Sequence, residues 1–478
     1  MRLLCLVLVC FNASFLTAAG GPLNVGSAKQ LFLDHRFIES SKGTELVINR
    51  PRIPGEKLIV VDSPWETYWI GGYLSVIQEG DRLHMWYEAA DREEKRVGLA
   101  YAYSSDGGAK WTKPNLGIID FRGSRNNNLV TRDTAGIHVF RNRPDAPAAE
   151  KYCLFVDANK AFVSPDGLHW SPYGKVPFLD HKANEHLGLD SQNVIFWDTS
   201  LKKYVAYPRI NLPTYGRSFG YAASDTFGDF PKFKIAFKRD AMDPINMDFY
   251  TTGAIQYPFA ADSYLMFPTA YYHYPEPPVG KFSNDGPIDI QFATSRDGLQ
   301  WDRSDRRPLI SLGLEGSWDC AGLYVGYGMS RQGDELSIYY TALDVTHGAY
   351  VATGVLGGTI TRAIYRLDGF VSVDAPYGGG EFTTPAMVFS GGHLELNFEG
   401  SAGGWARVEI LDEQGKPFLH FTEKEADPVT GNSTGKTVKW GGQSDLSSLA
   451  GRPIKLRFVM RDAKLYAFQF VSGGSAGK

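Results

Sequence analysis

A short motif of Ser, Asp, Gly and a closing aromatic residue recurs along the 478-residue chain. Three clear copies and two weaker ones are Ser104–Trp111, Ser164–Trp170, Ser295–Trp301, Ala223–Phe230 and Leu367–Phe370. Their aspartates, at positions 106, 166, 225, 297 and 368, are separated by 60, 59, 72 and 71 residues. In such a motif Asp accepts hydrogen bonds from the following backbone and Gly takes the positive-φ position of a β-turn. The regular spacing predicts one structural unit per copy.

Each turn is preceded by an apolar, β-rich stretch, and each stretch follows another apolar strand across a polar hairpin. The five stretches are 83–87, 152–156, 204–207, 264–267 and 336–340. Their near-continuous hydrophobicity indicates strands buried on both faces, as happens when sheets stack side by side. Five four-stranded units predict a five-bladed β-propeller over residues 25–382. We expect Gln30–Leu33 to supply the strand that closes the ring.

The pattern changes after Thr384. Apolar and polar residues then alternate strictly, as at Leu394, Leu396 and Phe398 and again at Ile454, Leu456 and Phe458. Alternation indicates strands with one face exposed to water. Residues 385–472 are therefore predicted to form a separate β-sandwich, and the whole fold to be all-β.

The N-terminus and the charge balance limit where the protein works and what it binds. Residues 1–19 combine Arg2, a short apolar run and small residues, which predicts a secretory signal peptide and a secreted or periplasmic protein without stable membrane insertion. The 49 basic and 53 acidic residues give a net charge of −4, and no long run of one sign occurs, so nucleic acid is not an expected partner. With two of the four cysteines in the signal, no disulfide framework is predicted.

A propeller gathers the starts of its innermost strands around one axial funnel, so residues just before those strands should share a cavity. Most of these positions hold a carboxylate close to aromatic residues, a combination that suits a sugar. The predicted catalytic carboxylates are Asp190, Asp248, Glu66, Glu315 and Asp319. The predicted substrate-binding residues are Trp65, His181, Arg209, Tyr250 and Trp318. His186, His273 and His347 are further candidates to line the funnel.

Other chemistries lack their motifs in this sequence. No histidine pair has zinc-site spacing, and no nucleophile elbow, phosphate-binding Gly loop or dinucleotide fingerprint occurs. We therefore predict no metal and no cofactor. Asp106, Asp166, Asp297 and Asp368 are interpreted as turn residues and are not site candidates.

Several segments resemble secreted five-bladed proteins of planctomycete-type bacteria. The matching segments are Leu31–Asp34, Asp190–Val194, Phe196–Asp198, Asp248–Thr251, Glu315–Asp319, Leu449–Pro453 and Leu465–Phe468. Those proteins are similar to glycoside hydrolase families 32 and 43, and the resemblance covers nearly the whole mature chain. It implies that inner-strand carboxylates serve as nucleophile or base, transition-state stabiliser and general acid. The Trp-x-Asn-Asp-Pro-Asn-Gly, Arg-Asp-Pro and Glu-Cys motifs of family 32 are absent from this chain.

Three functions fit these features. The first is a secreted glycoside hydrolase that cleaves terminal sugars of an oligo- or polysaccharide in the funnel. The second is a non-catalytic carbohydrate-binding propeller, which would lack a correctly spaced carboxylate pair. The third is a sialidase, suggested by the Asp-box pattern of Ser104–Trp111. Sialidases use six blades and an arginine triad, whereas five blades and no clear triad are predicted here.

Overall fold

A computed structural model describes residues 21–93, 97–156, 160–173, 190–276, 281–349 and 357–472. Strands dominate these segments, and the helical elements are short 3₁₀ turns at His35–Phe37, Pro64–Glu66, Ala148–Glu150 and Ser447–Leu449. The predicted signal peptide, residues 1–19, lies outside the described residues, as does His181. The all-β prediction is confirmed.

The chain divides into two compact units. One comprises Ile48–Phe370, and the other combines the segment up to Val47 with Val371 onward. We refer to them as the large unit and the composite unit.

The large unit contains five successive groups of antiparallel strands, numbered here in chain order. Group 1 comprises Trp69–Glu79, Arg82–Ala90, Val97–Ser104 and Leu129–Arg132. Group 2 comprises His138–Arg141, Tyr152–Val156, Lys160–Ser164 and Ser171–Pro172. Group 3 comprises Asp190–Asp198, Lys203–Leu212, Gly216–Ser224 and Lys234–Phe237.

Groups 4 and 5 depart from this simple form. Group 4 is split into two sets of three paired strands. One set comprises Met247–Phe249, Thr269–Tyr272 and Ile288–Ile290. The other comprises Ile255–Gln256, Tyr264–Met266 and Ala293–Ser295. A hairpin of Pro275–Glu276 and Lys281–Phe282 extends from group 4. Group 5 comprises Gly322–Gln332, Glu335–Leu343 and Thr359–Arg366, and its fourth strand is Ile59–Val60 from the start of the large unit.

The first strands of the five groups contact one another in cyclic order. The Val139 amide of group 2 donates to Ser75 Oγ of group 1, and Gln192 Nε2 of group 3 donates to the Ile137 carbonyl beside group 2. Gln256 of group 4 bonds Thr199 at the end of group 3, and Gly253 faces Val325 of group 5. Tyr327 of group 5 then pairs in parallel with Ser75 of group 1. The contacts therefore lead from each group to the next and back to group 1.

The repeated Asp-Gly motifs form the turns that the sequence predicts. In group 2, Asp166 Oδ1 accepts hydrogen bonds from the Leu168 and His169 amides, and Ser164 Oγ accepts one from Gly167. The copies at Asp106 and Asp297 have the same pattern. Local hydrogen bonding thus explains these aspartates without any catalytic role.

In the composite unit, two long strands pair along most of their length. His393–Leu411 pairs with Lys455–Val471, and the buried alternate side chains include Leu394, Leu396 and Phe398. The other strands are Leu23–Gly26, Gln30–Leu31, Ser40–Lys42, Glu45–Ile48, Val371–Ala375, Gly380–Thr383, Met387–Phe389, Val429–Thr430 and Asn432–Thr437.

The segment Gln30–Leu33 does not close the ring of groups, and this expectation is wrong. Gln30 and Leu31 pair with Phe468 and Ala467 of the composite unit, while Ile59–Val60 completes group 5. The cause is burial, because Phe32 packs with 0% exposure against Phe468 and other composite-unit aromatics. The observed boundaries consequently differ from the expected 25–382 and 385–472.

Candidate functional site

The start of the first strand of group 1 carries a backbone irregularity that redirects a side chain. In group 1 the pairing slips between Ile70 and Leu74, where Gly71 and Gly72 have φ of +76° and +67°. A β-bulge of this kind redirects the side chain that follows it. Tyr73 donates a hydrogen bond to the Tyr250 hydroxyl at 3.1 Å, and the two rings lie nearly parallel. Residues 177 positions apart thus meet at the first-strand starts.

Asp248, on the first strand of group 4, is the buried carboxylate of this region. Its Oδ2 accepts hydrogen bonds from the backbone amide and Nη1 of Arg217, both at 3.1 Å. Its Oδ1 lies 3.1 Å from His273 Nε2. Burial would raise the pKa of Asp248, but the His273 hydrogen bond and the Arg217 charge outweigh it and lower the pKa below the usual 3.8. Asp248 is therefore ionised at neutral pH.

Gly216 makes the Arg217 contact with Asp248 feasible. It has φ +69°, and a Cβ there would lie 2.7 Å from Asp248 Oδ2. Any other residue would both strain the backbone and displace the carboxylate.

His273 faces acceptors on both sides of its ring. Nδ1 lies 2.8 Å from the Ser283 carbonyl, and Nε2 faces Asp248. His273 and Arg217 thus contact Asp248 from two sides.

Tyr250 is the centre of an aromatic cluster beside Asp248. The Arg209 and Arg217 guanidinium carbons lie 4.4 and 5.4 Å from its ring centroid, within cation–π range. The rings of Tyr271, Tyr324 and His347 surround it, with centroids 5.9, 5.5 and 4.6 Å away.

His347 belongs to the Tyr250 cluster and is neutral. Burial, with the nearby Arg217 and Arg209 charges, lowers the pKa of His347 to about 4. Its Nδ1 lies 2.8 Å from the Tyr324 hydroxyl. His347 is consequently neutral at pH 7.

Glu88 adds a second carboxylate to the same end of the large unit. It is buried on the second strand of group 1 and accepts hydrogen bonds from Trp69 Nε1 at 3.1 Å and the Gly136 amide at 2.5 Å. Trp69 in turn packs edge-on against Tyr324 of the aromatic cluster. Glu88 thus positions an aromatic wall of the site.

A cavity of about 470 Å³ opens beside Asp248. Its polar lining side chains include Tyr215, Arg217, Arg239, Asn246, Asp248, His273 and Asn284. It lies in the 300–1,000 Å³ range of small-molecule sites and combines one buried anion with cations, amides and a tyrosine. Among the described residues, no group of three or more His, Cys, Asp or Glu side chains could hold a metal ion.

Tyr250 and Arg209 of the predicted site join Asp248 in this cluster. Asp190 begins the first strand of group 3, and its backbone position is paired with Arg209 in the sheet register. The position of Asp190 is thus adjacent to the cluster, while its side chain lies outside the described part of the chain.

Glu66 and Trp65 lie in a different environment. Glu66 is fully buried and contacts Lys113 Nζ and the Tyr87 hydroxyl, both at 2.8 Å. Trp65 donates to Asn128 Oδ1 at 2.8 Å and packs on Phe121. These partners all belong to group 1 and its connections, and no contact within the described segments joins either residue to Asp248.

The remaining candidates lie on the loop before group 5. Glu315 is exposed, and Asp319 accepts a hydrogen bond from Ser317 Oγ at 2.6 Å, as a turn residue would. The Trp318 ring faces Lys57 Nζ at 5.6 Å. In the part of the chain that the structure describes, none of the three contacts the Tyr250 cluster.

Sequence reasoning missed Glu88, Arg217 and Tyr73. Glu88 and Arg217 lie on second and third strands, whereas the predicted site residues lie mostly just before first strands. Second strands run antiparallel to first strands, so their ends reach the same place. A charged residue near the end of an otherwise apolar second strand, as at Glu88 and Arg209, is the signal that could have found them.

No family model matches the chain. A curated A type blood N-acetyl-α-D-galactosamine deacetylase from Flavonifractor plautii is 28% identical over 184 residues, covering 32% of this chain and 23% of that protein. The match therefore spans less than a quarter of the relative's length.

Solved structures that resemble the chain include glycoside hydrolases. A family 43 arabinoxylan arabinofuranohydrolase from Bacillus subtilis has 11% identity and a TM-score of 0.39, covering 86% of this chain and 96% of that chain. A family 32 β-fructofuranosidase from Bombyx mori has 8% identity and a TM-score of 0.43, covering 85% of this chain and 92% of that chain. No helix in the described segments is long and apolar enough to span a membrane.

Proposed function

We propose that the five strand groups are the blades of a five-bladed β-propeller and that the composite unit is a β-sandwich. The cyclic contacts of the first strands, and the completion of group 5 by Ile59–Val60, support the closed ring. On this architecture, the cluster around Tyr250 and Asp248 lines the mouth of the axial funnel.

We propose that the protein is a glycoside hydrolase acting at this mouth. The observation that supports it best is the buried, ionised Asp248, held by Arg217 and His273 at the edge of a cavity beside an aromatic cluster. A carboxylate with a lowered pKa is suited to act as nucleophile or to stabilise an oxocarbenium ion, and is unsuited to donate a proton. We assign the proton-donor role to Asp190, whose backbone position faces Arg209. Tyr250 would pack against the sugar ring.

A second candidate is hydrolysis of the N-acetyl group of an amino sugar. It is favoured by His273, which contacts Asp248, and by the neutral His347 of the adjoining aromatic cluster, because amide hydrolysis needs both a proton donor and a proton acceptor. The partial similarity to a sugar deacetylase agrees with it. In this reaction the acyl C–N bond breaks, water supplies the hydroxyl of the acetate, and the sugar amine gains a proton.

The test measures both products from one set of reactions. Wild type, Asp248→Asn and Asp190→Asn are incubated with aryl glycosides, plant and algal oligosaccharides and N-acetylated sugars. New reducing ends or released phenol indicate glycosidase activity, and free acetate indicates deacetylation. We expect both variants to lower kcat about 10²- to 10⁴-fold. Asp225→Asn, in an exposed turn bonded to Lys203, is the matched control and should stay near wild type.

The outcomes separate the functions. Near-full kcat in both variants would refute the assignment of Asp248 and Asp190. Acetate without new reducing ends would select the deacetylase, and sugar binding without either product would select the binding propeller. Release of sialic acid from a sialyl-oligosaccharide added to these substrates would favour the sialidase.

We further propose that the protein is exported and cleaved after Ala19. The support is the apolar run between Arg2 and the small residues Thr17, Ala18 and Ala19. N-terminal sequencing should find Gly20 first, and a mature protein that retains Arg2 would contradict the proposal.

A further inference from the structure

A second, larger cavity lies at the opposite ends of the five first strands. Its volume is about 850 Å³, against about 470 Å³ for the cavity beside Asp248. The residues that line it come from the end of every first strand and from the turns that follow. Lining residues from the five groups in turn include Gln78, Arg141, Trp197, Ile255 and Tyr327.

Aromatic side chains held in place by packing form the walls of this cavity. Phe196 and Tyr327 have nearly parallel rings 6.4 Å apart, and Tyr327 also meets the His138 ring edge-on at 4.5 Å. Trp197 packs edge-on against Tyr204 with ring centroids 5.0 Å apart. Fixed rings of this kind offer flat apolar faces at little cost in conformational entropy.

The charge of the lining has one sign. It includes Arg141 and Arg331, and no Asp or Glu side chain is among the described residues that line the cavity. Arg141 Nη1 lies 3.3 Å from Glu79, but Arg331 forms no ion pair with any residue in the described segments. The Arg331 guanidinium instead lies 5.1 Å from the Phe259 ring centroid, and its Nε donates to the Gly333 carbonyl.

Arg331 is also held in place at the backbone. Its amide donates to Gln78 Oε1 at 2.7 Å, and Gln78 Nε2 donates to its carbonyl at 3.0 Å. The link joins the ends of the first strands of groups 5 and 1. The two terminal nitrogens of the guanidinium remain for a planar, bidentate contact with an anion.

We propose that this cavity is a non-catalytic binding site for an acidic oligosaccharide, a chain of sugar rings that carries carboxylate or sulfate groups. The aromatic walls would pack on the apolar faces of the rings, and Arg331 with Arg141 would bind the anionic groups. The volume lies within the range of small-ligand sites. Glycoside cleavage requires two carboxyl groups, which the described lining lacks, so the site binds without cleaving. The proposal is independent of the reaction at Asp248.

The test is calorimetric titration of the full-length mature protein with three size-matched probes. They are an oligogalacturonate, a sulfated galactan oligosaccharide and a neutral cello-oligosaccharide. We expect at least one acidic probe to bind, with an affinity that falls as salt rises. Which acidic probe binds more tightly distinguishes carboxylate from sulfate recognition.

Two variants and a control locate the binding. Arg331→Gln should lower the affinity for the acidic probe at least 10-fold. In a parallel titration followed by tryptophan fluorescence, Trp197→Phe should remove most of the change that binding causes. Arg125→Gln removes an exposed arginine that does not line the cavity and should bind like wild type. The titration is repeated in Asp248→Asn, which should bind equally well.

Three results would overturn the proposal. They are absence of binding by both acidic probes, an affinity unchanged in Arg331→Gln together with a fluorescence change unaffected by Trp197→Phe, and binding lost only in Asp248→Asn. The last would place the ligand at the other end of the strands. Loss of hydrolysis in Asp248→Asn with acidic-probe binding intact would support both sites separately.

Discussion

At the residue scale, two buried carboxylates that looked alike in sequence have opposite surroundings. Glu66 lies in the interior, where burial has the largest influence on its pKa and raises it. Lys113 and Tyr87 oppose this shift. Asp248 is also buried, but His273 and Arg217 reverse the effect and lower its pKa. Position before a first strand therefore does not determine the chemistry of a carboxylate. The balance between burial and the surrounding hydrogen bonds and cations determines it.

We predict that Lys113→Met destabilises the large unit by about 3–5 kcal/mol, because it leaves Glu66 buried without its ion-pair partner. Adding Glu66→Gln should recover much of that loss, since a neutral amide needs no cation. Urea unfolding of the wild type, Lys113→Met and the double variant measures both effects. A loss under about 1 kcal/mol in Lys113→Met would show that the ion pair contributes little.

We predict that Arg217→Met moves the acid limb of the pH–activity profile toward higher pH. Arg217 helps to keep the folded-state pKa of Asp248 depressed, so its removal lets that pKa rise. The sign for stability is the same: the contribution of Asp248 is present above its unfolded-state pKa and lost as the pH falls through the folded-state value. In the variant the folded-state pKa is higher, so this contribution should be smaller and its loss should be complete at a higher pH. Activity and thermal unfolding measured from pH 3 to 8 check both shifts, and an unmoved acid limb would contradict the assignment.

At the scale of elements, the Asp-Gly turns do more than reverse the chain. The Gly167 carbonyl of group 2 accepts a hydrogen bond at 2.7 Å from Nε1 of Trp86, a fully buried residue of group 1. The Gly107 and Gly298 carbonyls likewise accept hydrogen bonds from Arg362 of group 5 and Tyr207 of group 3, so these turns both close their own groups and contact a neighbour. Glycine is needed at position 167 for two reasons: it has a positive φ, and a Cβ there would collide with the Trp86 ring.

We predict that Gly167→Ala costs clearly more stability than Gly117→Ala. Both glycines have positive φ, +76° and +69°, so both substitutions carry the backbone penalty of about 1–2 kcal/mol. A Cβ at position 167 would lie 2.4 Å from the Trp86 ring, whereas nothing lies within 4 Å at position 117. Overpacking should add about 1–3 kcal/mol in Gly167→Ala alone. Equal losses of unfolding free energy in the two variants would show that the turn and the Trp86 ring can shift at little cost.

At the scale of the whole molecule, the chain ends build one unit together. The N-terminal segment contributes Phe32 and Phe37 to a core that also contains Phe382, Phe458 and Phe468. The intervening residues form the large unit. The composite unit therefore cannot be completed until both ends of the chain are present.

We predict that Phe32→Ala lowers the stability of the composite unit by about 3–5 kcal/mol, because it empties a fully buried aromatic position. Amide hydrogen exchange should then accelerate in 380–383 and 455–471. The strands of groups 1 to 5 should keep their protection. Faster exchange confined to the large unit would contradict this division.

The sequence by itself determined the strand content, the Asp-Gly turns and the change to alternating strands after Thr384. These features depend on backbone preferences and on side-chain periodicity over a few residues, which are local. It also predicted Asp248, Tyr250 and Arg209 as site residues. Only the tertiary structure decided that Arg217 and His273 surround Asp248, that Glu66 lies apart, and that Gln30–Leu31 pairs with the composite unit. Those outcomes depend on contacts between residues such as Tyr73 and Tyr250, 177 positions apart, whose meeting is fixed by how whole sheets pack.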